Sequence, residues 1–387
     1  MARTQLYYAT NRRHQGRNRW LPTGYGPDPS KDGTENLRFG RVTIRFDHNK
    51  AAEFLQDDCG FGSGNGEKLA NYFFGQRTEA SITAFPEDLL KSETESSQPQ
   101  AKLGSAQMFA DLRRKMTNGD HVLVFVHGFN VSWWEAVASA GSLQCMLNRH
   151  CGGDQTGDDS RPVHVVLFTW PSDGRIIPSW SYFSDRSDAT VSGYAFGRGL
   201  LKLRDYLIDA RQVSRQRNEP PCEPSIHLLC HSMGNFVLQN ALIRTEKYSV
   251  GGRLPRIFDQ VFLCAPDVAA DVFQPGEAFH RLPQIARAVT VYHNRSDDTT
   301  PVSAYTRGNT DRLGWDGAER PADLPDRVHQ VDCSRLVTGL IEHNYYHCGS
   351  VNDDIRQSID GIPTDSRDRY REPARHGWPH VWRLVGE

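Results

Sequence analysis

The chain has no apolar run near the roughly 18–20 residues that a membrane-spanning helix needs. Its first fifty residues, rich in Arg, Gly and Asn, lack the apolar core of an export signal. A soluble, unexported protein without an integral membrane segment is therefore expected. Nor is there strong charge of one sign: 45 basic residues against 47 acidic ones leave a net charge of −2. With no field to gather phosphates or anionic lipid, charge suggests neither nucleic acid nor a lipid surface as a partner. Cysteine is sparse, at 8 of 387 residues, with no CxxC pair and no tight framework. Cys230, Cys264 and Cys333 each sit in or beside an apolar run and read as small hydrophobes, reduced thiols of a cytoplasmic protein. No internal repeat or linker interrupts the middle of the chain.

What is present is a folded enzyme's composition. Hydrophobic residues make up 38% and charged residues 24%, which excludes a disordered chain or a fibre. Six short apolar runs, at 121–126, 162–168, 225–229, 258–264, 288–292 and 328–333, read as buried strands. Helices are predicted at 106–116, 133–147, 189–211, 234–245 and 351–359. Strands alternating with helices over more than half of the chain imply an α/β fold: a mostly parallel sheet covered on both faces. Two strand-like pieces, 6–10 and 39–46, fit an antiparallel N-terminal edge on that sheet. The Ser/Glu/Gln-rich stretch 92–100 reads as a mobile loop. One domain over 1–387 is expected: edge strands and polar loops over 1–100, a catalytic core over 101–360, and a tail over 361–387.

The chemistry concentrates in Cys230-His231-Ser232-Met233-Gly234-Asn235, which follows a predicted strand and opens a predicted helix. In that context a serine with small neighbours two residues away on either side forms a nucleophile elbow. Gly234 meets the requirement, and Cys230 replaces the usual glycine. Upstream, Val126-His127-Gly128-Phe129-Asn130 ends the first long strand. In hydrolases of this architecture that loop supplies one oxyanion-hole donor and the residue after the nucleophile the other. The backbone N–H groups of Phe129 and Met233 are assigned these roles, and His127 a loop-bracing one. The base follows last in the chain, and Ile341-Glu342-His343-Asn344-Tyr345-Tyr346-His347 offers two histidines, His343 and His347. Their spacing also suits two metal ligands on one helix face, but no third ligand is evident, so neither a metal nor another cofactor is expected. The acid is to be found at a late strand end: Asp267, Asp297 and Asp298 all qualify.

These residues resemble those of the bacterial α/β-hydrolase-fold proteins grouped as a family of unknown function and described as esterase/lipase-superfamily enzymes. The resemblance runs from about residue 5 to 360. It rests on Tyr7-Tyr8-Ala9-Thr10-Asn11-Arg12, on 37–43, on the 126–130 loop and on Phe168-Thr169-Trp170-Pro171-Ser172. It continues through Tyr182, Asp185 and Arg186, the Ser232 hexapeptide, Ala265-Pro266-Asp267-Val268, Tyr292 with Asp297 and Ser303, and 342–346. The chain departs from the pattern at Cys230, usually Ala, and at Glu342, usually Gly. By family position the resemblance implies a triad of Ser232, Asp297 and His343.

The expected activity is hydrolysis of a small-molecule or lipid carboxylic ester through an acyl-enzyme on Ser232. Two alternatives stand beside it. An interfacial lipase or phospholipase would use Trp133, Trp134, Trp180, Tyr182 and Phe183 as an apolar rim, although such clusters are more often core. A catalytically silent hydrolase fold would serve binding only.

Overall fold

A computed structural model describes residues 1–57, 62–87, 103–151, 161–172, 178–216, 226–247, 256–297, 311–336, 343–375 and 378–385, without the side chains of 178–183, 210–211 and 213–216. Thirteen strands are present among these residues. In chain order they are β1 (Ala2–Thr10), β2 (Arg12–Gln15), β3 (Gly24–Pro29), β4 (Arg38–Phe46), β5 (Ser81–Phe85), β6 (His121–Val126) and β7 (Val163–Thr169). Then come β8 (Ile226–His231), β9 (Phe258–Cys264), β10 (Ala286–His293), β11 (Val328–Asp332), β12 (Arg371–Pro373) and β13 (Val381–Leu384). Eleven form one sheet in the order β12-β13-β11-β10-β9-β8-β6-β7-β1-β4-β5, and β2 and β3 form a separate hairpin. From β13 through β1 every neighbouring pair is parallel. The edges are antiparallel, β1 with β4 and β4 with β5 on one side, β12 with β13 on the other.

The uninterrupted apolar strands follow from burial on both faces. Along β6, Val122 and Val126 enter one hydrophobic core, and Leu123 and Phe125 enter the other. The first core is covered by α3 (Gly104–Thr117), α5 (Pro178–Gln216) and α6 (Gly234–Lys247). The second is covered by α1 (His48–Gln56), α2 (Gly66–Gly75), α4 (Trp133–Asn148) and the last long helix, Gly349–Ile359. Helix α4 starts where Ser132 and Glu135 form a reciprocal capping box, and it ends at Arg149 in a left-handed conformation.

The six predicted strands and five predicted helices are all found. The helix expected at 189–211 begins earlier, at Pro178, because Ser and Asp between 178 and 188 mask the helical pattern. The segment 361–387, expected as a tail, contributes β12 and β13, which are latched to the body by a buried ion cluster. Asp354 accepts from Arg369 (Nη2 at 2.8 Å) and Arg371 (Nη2 at 2.5 Å), and Tyr292 Oη donates to it at 2.6 Å. Its carboxyl is held below the usual range: burial opposes the charge, but the two guanidiniums and the hydrogen bonds outweigh it. The stretch 92–100 lies outside the described residues, as do Asp298 and Glu342. Among the described residues no helix is long and apolar enough to cross a membrane. Cys145, Cys151, Cys230, Cys264 and Cys333 are buried thiols.

Candidate active site

Three non-glycine residues with left-handed backbone stand just past the strands at the carboxyl edge of the sheet: Asn130 after β6, Ser232 after β8 and Ala265 after β9, with φ of 58°, 50° and 45°. Such conformations persist only where the surroundings hold them, and they mark functional edges. Around Ser232 the hold is visible. Its N–H donates to the Cys264 carbonyl at 2.9 Å, and its own carbonyl accepts from the N–H groups of Asn235 (3.0 Å) and Asp267 (3.2 Å). The Asn235 side chain, fully buried, donates to the carbonyls of Cys230 and Ser232. Gly234 opens α6 where a Cβ would lie 2.6 Å from the Val126 carbonyl oxygen. A Cβ at Gly128 would lie 2.9 Å from that of Ser232, so the 127–130 loop packs directly on the serine turn. The amino end of α6, with its partial positive charge, therefore begins beside the serine.

Asp297 and His343 meet at this edge. His343 Nδ1 lies 2.7 Å from Asp297 Oδ2, with the aspartate side chain fully buried and the imidazole 26% exposed. The histidine segment is tied to the serine turn by the residue before the serine. His231 Nε2–H donates to the His343 carbonyl at 3.0 Å, and the two rings pack edge to face at 4.8 Å. Burial, and then the nearby His343, push the His231 pKa well down, so this ring stays neutral. Tyr345 adds a second tie: its hydroxyl donates to the Tyr292 carbonyl (2.6 Å) and accepts from the Ala265 N–H (2.5 Å).

The other sequence candidates stand elsewhere. His347 is buried in the α4-side core, with Nδ1 3.4 Å from Ser142 Oγ, and burial depresses its pKa to about 3. Asp267 is buried next to the serine turn, and its carboxylate stands 3.7 Å from Arg312 Nε. Trp133, considered for an apolar rim, is instead core, packed on Tyr8 and Tyr25. Trp180, Tyr182 and Phe183 have side chains outside the described residues.

His127 braces its loop. Its ring stacks on Trp170 with a 6° interplanar angle, and its Nε2 accepts from the Trp170 N–H at 3.2 Å. Nδ1–H therefore donates to the Gly128 carbonyl at 2.9 Å, and burial, followed by the Arg12 charge, keeps the ring neutral. The 127–131 loop is clamped from two sides. Arg12, buried, donates to the Val131 carbonyl (2.6 Å) and to Thr169 Oγ1 (2.9 Å). Asp185, also buried, accepts from Ser172 Oγ (2.8 Å) and the Asn130 N–H (3.4 Å), while Ser172 Oγ accepts from the Val131 N–H. The sequence alone assigns Arg12, Asp185 and His231 no role, because their partners are chiefly backbone groups and short polar side chains far along the chain. Among the described residues no group of three or more His, Cys, Asp or Glu side chains can hold a metal ion.

A parallel sheet with helices on both faces and a serine on a strained strand-to-helix turn defines the chain as an α/β hydrolase. It belongs to the family of α/β hydrolases of unknown function (DUF900), whose model matches residues 104–350. A solved structure described as a candidate cell-surface hydrolase from Lactobacillus plantarum WCFS1 is similar over 63% of this chain and 93% of its own, at 12% identity and a TM-score of 0.29. A likeness that slight carries no argument here. Among curated proteins none matches.

Proposed function

We propose that this hydrolase is a serine carboxylic-ester hydrolase with Ser232 as nucleophile, His343 as base and Asp297 as the acid that orients it. The observation that carries the reading is the joint placement of the left-handed Ser232 and the Asp297–His343 pair, tied together through His231. Asp297 fixes the imidazole with Nδ1–H toward the carboxylate, which leaves Nε2 as the proton acceptor. His343 takes the Ser232 proton as Oγ attacks the ester carbonyl and returns it to the departing alcohol. Water then cleaves the acyl-enzyme by the same route. The N–H groups of Phe129 and Met233 receive the developing oxyanion, and removing one such donor typically costs on the order of 10²–10³ in rate. The Arg12 and Asp185 contacts support this assignment, since donors aimed at a transition state need a loop that does not move. The substrate class is a small-molecule ester. The burial of Trp133 removes one support for an interfacial rim.

A fluorophosphonate probe separates this reading from a silent fold. The wild-type protein is expected to be labelled within minutes and to hydrolyse short p-nitrophenyl esters. Ser232→Ala is expected to lose both while keeping the wild-type circular dichroism spectrum. A folded Ser232→Ala protein that still turns over ester would remove Ser232 from the mechanism.

A further inference from the structure

His231 ends β8, one residue before Ser232, and lies on the strand face that buries Leu229 in the α4-side core. Its ring packs at 4.8 Å on Tyr346, which packs in turn at 5.5 Å on Phe125 of β6. A phenyl ring would suit these aromatic neighbours as well as an imidazole does. Burying an imidazole instead costs free energy unless its nitrogens find partners. What the imidazole adds is a directional donor, and that donor is aimed at one atom. Its Nε2–H reaches the His343 carbonyl at 3.0 Å.

The place of the His343 imidazole is set by more than packing, since a quarter of its side chain, 26%, is exposed. Asp297 holds its Nδ1, and the His231 ring lies edge to face against it at 4.8 Å. The bond to the His343 carbonyl fixes the backbone from which that imidazole extends. The same His231 ring lies against the oxyanion loop. With its proton on Nε2, Nδ1 is bare and asks no acceptor of that loop. A Cβ at Gly128 would stand 3.0 Å from this Nδ1 and 2.9 Å from Ser232 Cβ. One side chain thus adjoins the base segment and the oxyanion loop, and is joined to the nucleophile by a single peptide unit.

We propose that His231 is a positioning residue for the hydrolysis: its Nε2–H, bonded to the His343 carbonyl, sets how far the His343 imidazole stands from Ser232 Oγ. The inference rests on the reading of His343 as the base. A base must come within about 2.6–3.2 Å of the atom it deprotonates. A displacement of about 1 Å can cost on the order of 10² in rate. The link from Ser232 to His343 runs through one peptide unit, one side chain and one hydrogen bond, so nucleophile and base shift together.

Three variants of the full chain test this. His231→Phe keeps the ring packing and removes the donor. His231→Gln places an amide nitrogen where Nε2 stood, whereas the shorter His231→Asn does not reach the carbonyl. With p-nitrophenyl acetate, Phe and Asn should each lower kcat per folded molecule by about 10², with KM changed less than about threefold. Fluorophosphonate labelling should slow by a similar factor. Gln should stay within roughly tenfold of the wild type. A second readout needs no turnover: the far-downfield proton resonance of His343 Nδ1–H on Asp297, identified by its loss in His343→Ala. It should persist in His231→Gln and broaden or vanish in His231→Phe and His231→Asn. A structural role alone would lower Tm and leave kcat per folded molecule unchanged. Wild-type kcat and an unaltered resonance in whichever of the Phe and Asn variants folds would overturn the proposal. So would a Gln variant as impaired as Asn, since the donor at the Nε2 position would then not matter. A wild type that shows the resonance, and loses it in His231→Phe, but never labels or turns over ester would sink the ester-hydrolase reading while upholding the His231 contact.

Discussion

Replacing His343 by alanine is expected to lower kcat by at least about 10³, the scale seen when a triad member is lost. His347→Ala is expected to lower it less than tenfold. The two histidines are separated by a single 3-10 turn, Tyr345–His347, yet they face different surroundings. One imidazole stands 2.7 Å from a buried carboxylate and keeps a quarter of its surface open. The other is enclosed with Ser142, and among the described residues its Nε2 has no hydrogen-bond partner. His347→Ala should therefore act on stability, where it removes a desolvated polar atom but leaves a cavity. Initial rates on p-nitrophenyl acetate, normalised to folded protein, compare the variants. An inactive His347→Ala beside an active His343→Ala would reassign the base, and with it Asp297.

Acid is expected to unfold the protein well above the range where carboxylates titrate. Burial is the first cause of a lowered pKa at His127, His227, His231, His293 and His347, and it also brings His121 and His329 to about 4. In the unfolded chain each of these rings titrates near 6.5. Above that pH neither state binds the protons and nothing is lost. Below it the unfolded state takes them up first, so stability falls as pH drops from about 6.5 toward the folded values, about 3 for His347. One pH unit below 6.5, each fully buried ring costs on the order of 1 kcal/mol. Five together then approach the roughly 5–15 kcal/mol by which a native protein is stable. Thermal melting from pH 7.5 to 4.5 should show Tm falling steeply below about pH 6.5, with several protons taken up on unfolding. A Tm that is flat down to pH 5 would contradict these burial assignments.

The sequence signals that proved most readable were those in which one local feature decides the structure. β6 is an unbroken apolar run from 122 to 126 because both faces of its strand are buried, and Ser232-Met233-Gly234 reads as a turn because only a small residue fits beneath it. Less readable were the elements whose signal is short or mixed. Asp47 and Asn65 cap α1 and α2 through their side chains, but the helices they open are only nine and ten residues long. β12 and β13 are only three and four residues long and carry charge, and β12 is the edge strand of the sheet. Within the candidate site, Ser232 and the 127–130 loop stood out through local pattern, and the residues alone left His343 and His347 equally placed. His231 could not be read at all: its partner is the His343 carbonyl, and a backbone acceptor has no signature in sequence.

The latch formed by Asp354, Arg369 and Arg371 also bears on how the protein is made. Tyr292 touches both the latch, through its hydroxyl on Asp354, and the histidine segment, through its carbonyl on Tyr345. On a ribosome Asp354 emerges before either arginine, and until they follow it is a carboxylate bound for the interior without its cations. Breaking such a pair from one side typically costs about 3–5 kcal/mol. The far edge of the sheet, and with it the support of His343, is therefore expected to close only after residue 371 has left the exit tunnel. A nascent chain arrested before Arg369 clears it should be inert toward the fluorophosphonate although it already carries Ser232, Asp297 and His343, and release of the completed chain should restore labelling.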